Sequence, residues 1–157
     1  DMMCEYALTR EAFGTALADK QIVQAWIADS AAEIQAARLM VLNTAWRIEH
    51  EGTKSARREI SLIKVYVANV LQGVVDRALQ VHGSLGFSGD MPLEEMYRTA
   101  RNARIVDGPD EVHRQTAARL TLKNYRSSLP PTEHIPTRRA AALAKYADLL
   151  ERTGGER

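Results

Sequence analysis

The chain has 157 residues, with 21 lysines and arginines against 20 aspartates and glutamates, and a formal net charge of +1 at pH 7. This near-neutral balance gives no case for a nucleic-acid partner or an acidic membrane surface, and the length suits a single domain with one core. Cys4 is the only cysteine, so an internal disulfide is excluded and a reducing compartment is expected. No apolar run approaches the roughly 20 residues of a transmembrane helix.

Apolar residues recur at helical spacing along most of the chain, without strand alternation, so we expect an all-α fold built as an antiparallel, four-helix-bundle-like domain. The chain already looks helical at its first residue, which is typical of a piece of a longer protein. The bundle is expected over residues 1–128, and residues 129–157 are predicted to form a proline-containing linker and a peripheral helix. The predicted helices cover residues 1–14, 19–51, 55–81, 93–104, 110–127 and 138–151.

The two longest predicted helices carry wide apolar surfaces. In the second helix, large apolar residues fall at intervals of seven and are expected to face the core, namely Ile27, Ile34, Val41 and Ile48, with Val23, Ala31 and Ala45 in the same stripe. The third helix is apolar on more than one side, which is typical of the centre of a bundle or of a subunit contact. Gly73 lies inside it at a cost of about 1 kcal/mol relative to alanine, and close approach of another helix is the predicted reason. We therefore expect the chain to self-associate.

The stretch RTARNARIVDGPDEVHR combines a basic helical run, a break and the start of a new helix. Asp107 and Gly108 interrupt the helical pattern, and Pro109 suits the first position of the next helix. Asp110 and Glu111 fall in its first turn, where negative charge is favoured by the helix dipole. Asp107 is thus expected beside a helix N-terminus, either as an N-terminal cap or as a general base.

Two blocks of sequence resemble a known family. The first, YALTREAFGTALADKQ, is similar to a Tyr-x-x-x-Arg-x-x-Phe-Gly pattern followed by a downstream Gln. The second, QVHGSLGFSGDMPLEEMYRTAR with the DGPDEVH that follows, combines a glycine-rich turn, Pro-x-Glu, an arginine run and a carboxylate-Gly segment. Both resemble the C-terminal domain of the acyl-CoA dehydrogenases, in the family's order, and the resemblance covers residues 5–126.

The resemblance implies a flavin-dependent oxidoreductase that removes the α-proton of an acyl-CoA and passes the β-hydride to FAD. Asp107 stands where the family places its catalytic base, and Gly108 where it contacts substrate. Most members carry Glu at that position, but the chain looks like a branch with Asp-Gly-Pro-Asp-Glu-Val-His. Pro109 and Glu111 occupy flavin-contacting positions, although Pro109 replaces the usual Thr and lacks the hydroxyl and N–H that Thr offers the flavin.

The remaining cofactor contacts are implied by position in the two blocks. The resemblance assigns FAD binding to Arg10, Phe13, Gln21, Gln80, Val81, His82, Gly83 and Ser84. In the family these groups usually reach the FAD of a neighbouring subunit, so a homodimer or homotetramer is expected. The structural alternatives are Arg10 in a surface ion pair, Phe13 in the core and Gly83 as a helix C-cap. Metal ligation is not expected, because the four histidines lack zinc-site spacing.

Two functions from different classes remain after this reading. The first is the C-terminal part of an FAD-dependent acyl-CoA dehydrogenase, with an electron-transfer flavoprotein as acceptor, in the cytoplasm or in the mitochondrial matrix of a eukaryote. Residues 1–157 alone are then expected to be inactive, because the family holds the isoalloxazine mainly with a β domain outside this sequence. The second is a non-catalytic helical bundle used for oligomerisation or partner binding.

Overall fold

The computed structural model describes residues 1–125 and 139–154, which are mostly helical, as expected for an all-α domain. They form two compact units, Asp1–Leu122 and Lys123–Arg157. The predicted boundary between residues 128 and 129, and the prolines of the predicted linker, lie outside the described residues. The helices of the first unit are α1 (Met2–Thr9), α2 (Gln21–Glu51), α3 (Arg57–His82), α4 (Ser84–Phe87), α5 (Leu93–Ala103) and α6 (Asp110–Leu122). Those of the second are α7 (Arg139–Lys145) and α8 (Ala147–Gly154).

A short hairpin replaces the last part of the first predicted helix. Strands β1 (Glu11–Ala12) and β2 (Thr15–Ala16) pair antiparallel. Phe13 and Gly14 connect them with φ values of 54° and 80°, and two positive φ values in a two-residue turn match the hairpin twist of a type I′ turn. A right-handed helix cannot continue through such a backbone, so the prediction of a helix to residue 14 is wrong.

α2 follows a single turn of 3₁₀ helix over Leu17–Asp19. It begins at Gln21, and Lys20 rather than Asp19 occupies the N-cap position, so the predicted cap at Asp19 is wrong. The predicted end of the helix is confirmed, because Gly52 caps it with a φ of 84°. Glycine is favoured at such a helix end because it has no Cβ to clash at positive φ.

α2 faces the domain with a stripe that only partly matches the predicted one. Val23 is buried as predicted, and Ile27 packs partly buried against the core. The buried residues of α2 also recur every seven positions: Val23, Ser30, Ala37 and Thr44. The larger residues Ile34, Val41 and Ile48 are 38–40% exposed, so their predicted place in the core is wrong. Because the spacing between packed helices depends on the size of the side chains between them, the small stripe allows close packing and leaves the large stripe outside.

α3 is the central helix of the first unit and packs against α1, α2, α4, α5 and α6. Two ion pairs fasten it antiparallel to α2. Arg77 donates to both carboxylate oxygens of Glu33, at 2.7 and 3.0 Å, and Arg47 donates to the buried Glu59 at 2.6 Å. Gly73 does not mark close helix contact, because a Cβ there would meet nothing within 4 Å in the described chain.

The main apolar cluster lies where α1, the start of α2, the end of α3 and the start of α5 meet. It is formed by Met3, Ala7, Val23, Ala78, Val81 and Leu93. The opposite part of α3 meets the connection between α5 and α6, which Lys64 contacts. With a rise of 1.5 Å per residue, Lys64 and Gly83 are about 28 Å apart along α3. In the described part of the chain, no helix is both long and apolar enough to cross a membrane.

Candidate active site

The connection between α5 and α6, here called the Asp107 loop (residues 104–109), has an unusual backbone. Asp107 has a φ of 54° and Gly108 a φ of 96°. A non-glycine residue in the left-handed region costs about 1–2 kcal/mol, although aspartate tolerates it better than most residues. The predicted break at Asp107-Gly108 is therefore present, and it places a carboxylate at a sharp reversal between two helices.

The carboxylate of Asp107 is exposed and has no hydrogen bond or ion pair with any side chain or backbone group of the described residues. The first helical hydrogen bonds of α6 run instead from Val112 and His113 to the carbonyl oxygen of Pro109. The Asp107 side chain therefore does not cap α6, and its oxygens remain available to an incoming group. Availability of both oxygens is what a general base requires.

An open pocket of about 460 Å³ lies beside this carboxylate, here called the Asp107 pocket. Its walls are mostly aliphatic: Val41, Ile60, Ile63, Lys64, Val67, Ala68, Leu71, Ala103, Val106 and Asp107. The two charged side chains on the pocket wall differ in whether they have a hydrogen-bond partner. The ammonium group of Lys64 donates to the carbonyl oxygens of Ala103 at 2.7 Å and Gly108 at 3.3 Å, whereas the Asp107 carboxylate has no partner in the described chain. The pocket thus presents one free carboxylate at an apolar surface.

Asp110 is the buried charge of the region, with 2% of its surface exposed. Its Oδ2 accepts hydrogen bonds from Arg104 Nε at 2.8 Å and Asn69 Nδ2 at 3.1 Å, and Arg104 also donates to Gln72 at 3.0 Å. Burial acts to raise the pKa of Asp110, but the bonds from Asn69 and Arg104 and the charges of Arg104 and Arg114 outweigh it and lower this pKa. Asp110 lies in the first turn of α6, as predicted, and its carboxylate is in addition part of a buried ion pair with Arg104, which the sequence did not predict.

Four further side chains contact this region and were not found from sequence: Lys64, Asn69, Gln72 and His113. The ring nitrogen Nε2 of His113 lies 3.0 Å from the carbonyl oxygen of Asp107. Three of the four come from α3, more than 30 residues away in sequence, and no local pattern predicts such contacts. His113 lies within the motif itself, one turn into α6, and could have been considered.

The other predicted residues of the DGPDEVH segment lie at the surface. Pro109 is exposed and directly precedes α6. Glu111 is exposed in the first turn of α6, as predicted, and its carboxylate lies 3.8 Å from Arg114. Gly108 is partly buried against the ring of His113, which a Cβ would approach to 3.1 Å. The structure therefore places Asp107 on the pocket wall. Gly108 is next to it in the chain but packs against His113, and Glu111 is exposed to solvent.

A second group of predicted residues belongs to the other end of α3 and to the elements before α2; that end of α3 is about 28 Å along the helix from Lys64. Phe13, at the hairpin tip, is fully exposed, so the alternative that it lies in the core is wrong. Arg10 is exposed and has no ion pair among the described residues. Its carbonyl oxygen accepts a hydrogen bond from Leu17 at 2.8 Å, which extends the hairpin ladder. Together with neighbouring exposed positions they form the hairpin surface: Arg10, Phe13, Gln21, Gln80 and Ser84.

The glycine-rich segment at the end of α3 divides into buried and exposed parts. Val81 and His82 are buried, and the His82 ring stacks on Tyr6 with 4.2 Å between ring centres. Their side chains are therefore packed inside the domain, unlike the exposed Gln80 and Ser84 of the same segment. Gly83 caps α3 with a φ of 61°, so the predicted C-cap is confirmed.

Comparison with known proteins agrees with both blocks. Residues 1–122 match the family described as "Acyl-CoA dehydrogenase, C-terminal domain". (R)-benzylsuccinyl-CoA dehydrogenase from Thauera aromatica is 42% identical over 129 residues, which is 82% of this chain and 32% of that protein. Acyl-CoA dehydrogenase family member 11 from Rattus norvegicus is 42% identical over 128 residues, which is 82% of this chain and 16% of that protein.

A solved structure shows the same fold. Butyryl-CoA dehydrogenase from Megasphaera elsdenii aligns with a TM-score of 0.72 and 27% identity over 77% of this chain and 31% of that one. The chain thus spans about a third or less of the length of these relatives.

Proposed function

Because the chain belongs to the acyl-CoA dehydrogenase family, as its C-terminal domain, we propose that it supplies the catalytic base for α,β-dehydrogenation of an acyl-CoA thioester within a longer protein. The carrying observation is Asp107, whose carboxylate has no partner in the described chain and borders an apolar pocket. The match of the DGPDEVH segment to an aspartate-containing branch of the family remains part of this proposal.

Asp107 would accept the proton from the carbon next to the thioester carbonyl. A positioned base of this kind commonly contributes a factor on the order of 10² to 10⁴ to the rate. When bound, FAD supplies the acceptor for the hydride that leaves the β-carbon, so that a C=C bond remains in the product. An aspartate is one methylene shorter than the usual glutamate, so the substrate must approach the Asp107 loop more closely. Gly108 has only its main chain to offer a substrate, because the His113 ring fills the space beside its Cα.

The hairpin surface fits the ADP half of FAD, because it presents a cation and an aromatic ring at the hairpin and amide groups at Gln21 and Gln80. Arg10 and Phe13 carry this part of the proposal, and both are exposed in the described chain. Gln80 and Ser84 are at the end of α3 about 28 Å along the helix from Lys64, which contacts the Asp107 loop, and this separation supports contact with two different flavins. We propose that the hairpin surface contacts the FAD of a neighbouring subunit.

Self-association through α2 is a further part of the proposal. Besides the exposed stripe described above, α2 exposes Leu39, Leu42 and Trp46 by more than half of their surface. Contiguous apolar surface of this kind usually marks a partner interface, and a second copy of the chain is the partner that the subunit-crossing FAD contacts require. Light scattering at tens of micromolar should show a dimer or larger species, and a clean monomer would contradict this.

An electron-transfer flavoprotein is the proposed electron acceptor, on the strength of the family alone. Location in the cytoplasm, or in the mitochondrial matrix of a eukaryote, also remains a prediction. The alternative function, a non-catalytic bundle for oligomerisation, shares the α2 surface but gives no role to a free carboxylate at the Asp107 pocket.

The direct test replaces Asp107 in the full-length protein that carries this chain. Asp107→Asn keeps the size of the side chain and removes its basicity, so folding and flavin content should survive. Anaerobic bleaching of the flavin by acyl-CoA should slow by a factor on the order of 10² to 10⁴. Glu111→Gln is the comparison variant, because Glu111 is the exposed acidic residue next to Asp110 in the motif. Its flavin content is measured together with its bleaching rate, because the resemblance also gives Glu111 a flavin contact.

Two outcomes would reject the assignment. If Asp107→Asn bleaches at the unmodified rate while Glu111→Gln does not, the base is a different residue. If the unmodified protein binds flavin but no acyl-CoA bleaches it, the dehydrogenase function itself fails and the oligomerisation function gains support.

A further inference from the structure

The Asp107 loop is closed at its base by two bonds between the same two residues. Arg104 directly follows α5, and Asp110 is the first residue of α6. Arg104 Nε donates to Asp110 Oδ2 at 2.8 Å, and the main-chain N–H of Asp110 donates to the carbonyl oxygen of Arg104 at 3.2 Å. The two ends of the loop are therefore held at a fixed separation.

The central helix α3 supplies a second set of contacts. Lys64 donates to the carbonyl oxygen of Ala103 at 2.7 Å and to that of Gly108 at 3.3 Å, so one ammonium group holds both sides of the loop. Asn69 donates to Asp110 Oδ2 at 3.1 Å. These contacts tie the loop to the helix that packs against five others in the same unit.

The tip of the loop depends on these contacts for its shape. A residue with positive φ such as Asp107 persists only where its surroundings hold it. His113 lies 3.0 Å from the Asp107 carbonyl oxygen, and Lys64 fixes the next carbonyl, that of Gly108. The contacts thus fix the main chain on both sides of the Asp107 side chain while leaving its carboxylate without a partner in the described residues.

The side chain of Asp110 does not serve as an ordinary helix cap. All its hydrogen bonds fall on Oδ2, from Arg104 and Asn69, and its buried Oδ1 has no partner among the described residues. An N-terminal cap would accept from main-chain N–H groups of α6. Its hydrogen bonds run to the other end of the loop and to α3 instead, and Arg114 of α6 lies 3.6 Å from the same oxygen as a further ion-pair partner.

We propose that Asp110, acting with Arg104 and Lys64, is a positioning residue that holds the Asp107 carboxylate at the distance and angle needed for proton abstraction. This inference rests on the proposed function, and it assigns to these side chains a role that acts through Asp107 alone. A base displaced by about 1 Å can cost on the order of 10²-fold in rate. Loss of the positioning contacts should therefore lower the rate of proton abstraction more than substrate binding.

The test uses Asp110→Asn and Lys64→Met in the full-length protein. Asp110→Asn retains the shape of the side chain and removes the charge that pairs with Arg104. Lys64→Met retains a long aliphatic chain and removes both hydrogen bonds to the loop. For each variant, kcat for acyl-CoA-dependent flavin reduction should fall on the order of 10- to 100-fold. KM should change by less than roughly threefold, because substrate binding is unaltered.

An isotope effect separates positioning from general loss of structure. With α-deuterated acyl-CoA, the isotope effect on flavin reduction should rise in both variants, because the misplaced base makes cleavage of the α-C–H bond more fully rate-limiting. The matched control is Glu94→Gln, which breaks the surface ion pair between Glu94 and Arg98 (3.1 Å) on α5 and does not touch the loop. Its kcat, KM and isotope effect should equal those of the unmodified protein.

The inference is overturned if folded Asp110→Asn and Lys64→Met both keep the unmodified kcat and isotope effect, even when their melting temperatures fall. If Asp110→Asn does not fold, Lys64→Met decides alone. If instead the unmodified protein shows no acyl-CoA-dependent flavin reduction, the proposed function fails first, and that result is distinguishable from a failure of positioning because it precedes any substitution.

Discussion

The Asp107 loop and the hairpin surface lie at opposite ends of α3 and present their polar groups in different ways. In the loop, a partner-free carboxylate lies beside a set of contacts that include an ion pair, two lysine–carbonyl bonds and a histidine–carbonyl contact. On the hairpin surface, the side chains of Phe13 and Arg10 extend from a four-residue ladder, in which a hydrogen bond from Lys20 to Thr15 joins the hairpin to the residue before α2. The Asp107 loop is fixed by contacts within the domain, and the side chains of the hairpin surface are available to a partner outside it.

This difference fits the two tasks proposed for them. Proton abstraction depends on the placement of one carboxylate to within a fraction of an ångström, so internal contacts of high density are useful there. Contact with the outer half of a cofactor held by another subunit needs exposed groups on a stable turn. The comparison predicts that substitutions of the residues that hold the loop, such as Asp110, affect folding and rate together, whereas substitutions on the hairpin surface affect cofactor binding alone.

The largest stability effect is expected from the Asp110 ion pair. In this chain, Asp110→Asn should lower the free energy of unfolding by about 1–3 kcal/mol at pH 7, the usual contribution of a hydrogen bond to a charged group. Because the pKa of Asp110 is lowered in the folded state, its stabilisation is present above the unfolded value of about 3.9 and is lost as the pH falls through the folded value. The difference in the free energy of unfolding between the Asp110→Asn variant and the unmodified chain should therefore shrink below about pH 4.

Urea unfolding at pH 7, 5 and 3 measures this difference. Glu111→Gln is the control, since its carboxylate lies in the same turn but is mostly exposed, and it should change stability by less than about 0.5 kcal/mol at each pH. If Asp110→Asn lowers the free energy of unfolding more as the pH falls, the ion pair is contradicted. If it lowers the free energy of unfolding by almost nothing at pH 7, the contrast between the two regions is lost.

The sequence predicts the fold well because helical periodicity, Gly52, Gly83 and the Asp107-Gly108 break are local signals. It predicts the packing poorly. The stripe at Ile34, Val41 and Ile48 has correct helical spacing, yet a second stripe of small residues with the same spacing faces α3. Periodicity locates an apolar face but does not show which element covers it.

The candidate site was likewise predictable only in part. Asp107 could be identified because the glycine and proline beside it define the turn, and the family resemblance gives it a role. The support of Asp107 could not be identified, because Asn69 is 41 residues from Asp110 and Lys64 is 44 residues from Gly108. The hairpin was missed because Phe13 is not one of the residues that usually occupy a positive-φ turn position.

The smallest effect on folding is expected at Phe13, and it gives the sharpest test of the contrast. Its side chain is fully exposed, so Phe13→Ala should change the stability of this chain by less than about 0.5 kcal/mol. In the full-length protein the same change should weaken FAD binding on the order of tenfold, because exposed aromatic residues are frequent anchors of binding interfaces. Tyr125→Ala removes an aromatic side chain that is also largely exposed and lies outside the hairpin, so it should leave the flavin-to-protein ratio unchanged.

Retention of full flavin by Phe13→Ala and by Arg10→Gln would show that the hairpin surface does not contact FAD. A large loss of stability in the isolated chain would show that Phe13 packs against the fold, and the two ends of α3 would then no longer differ.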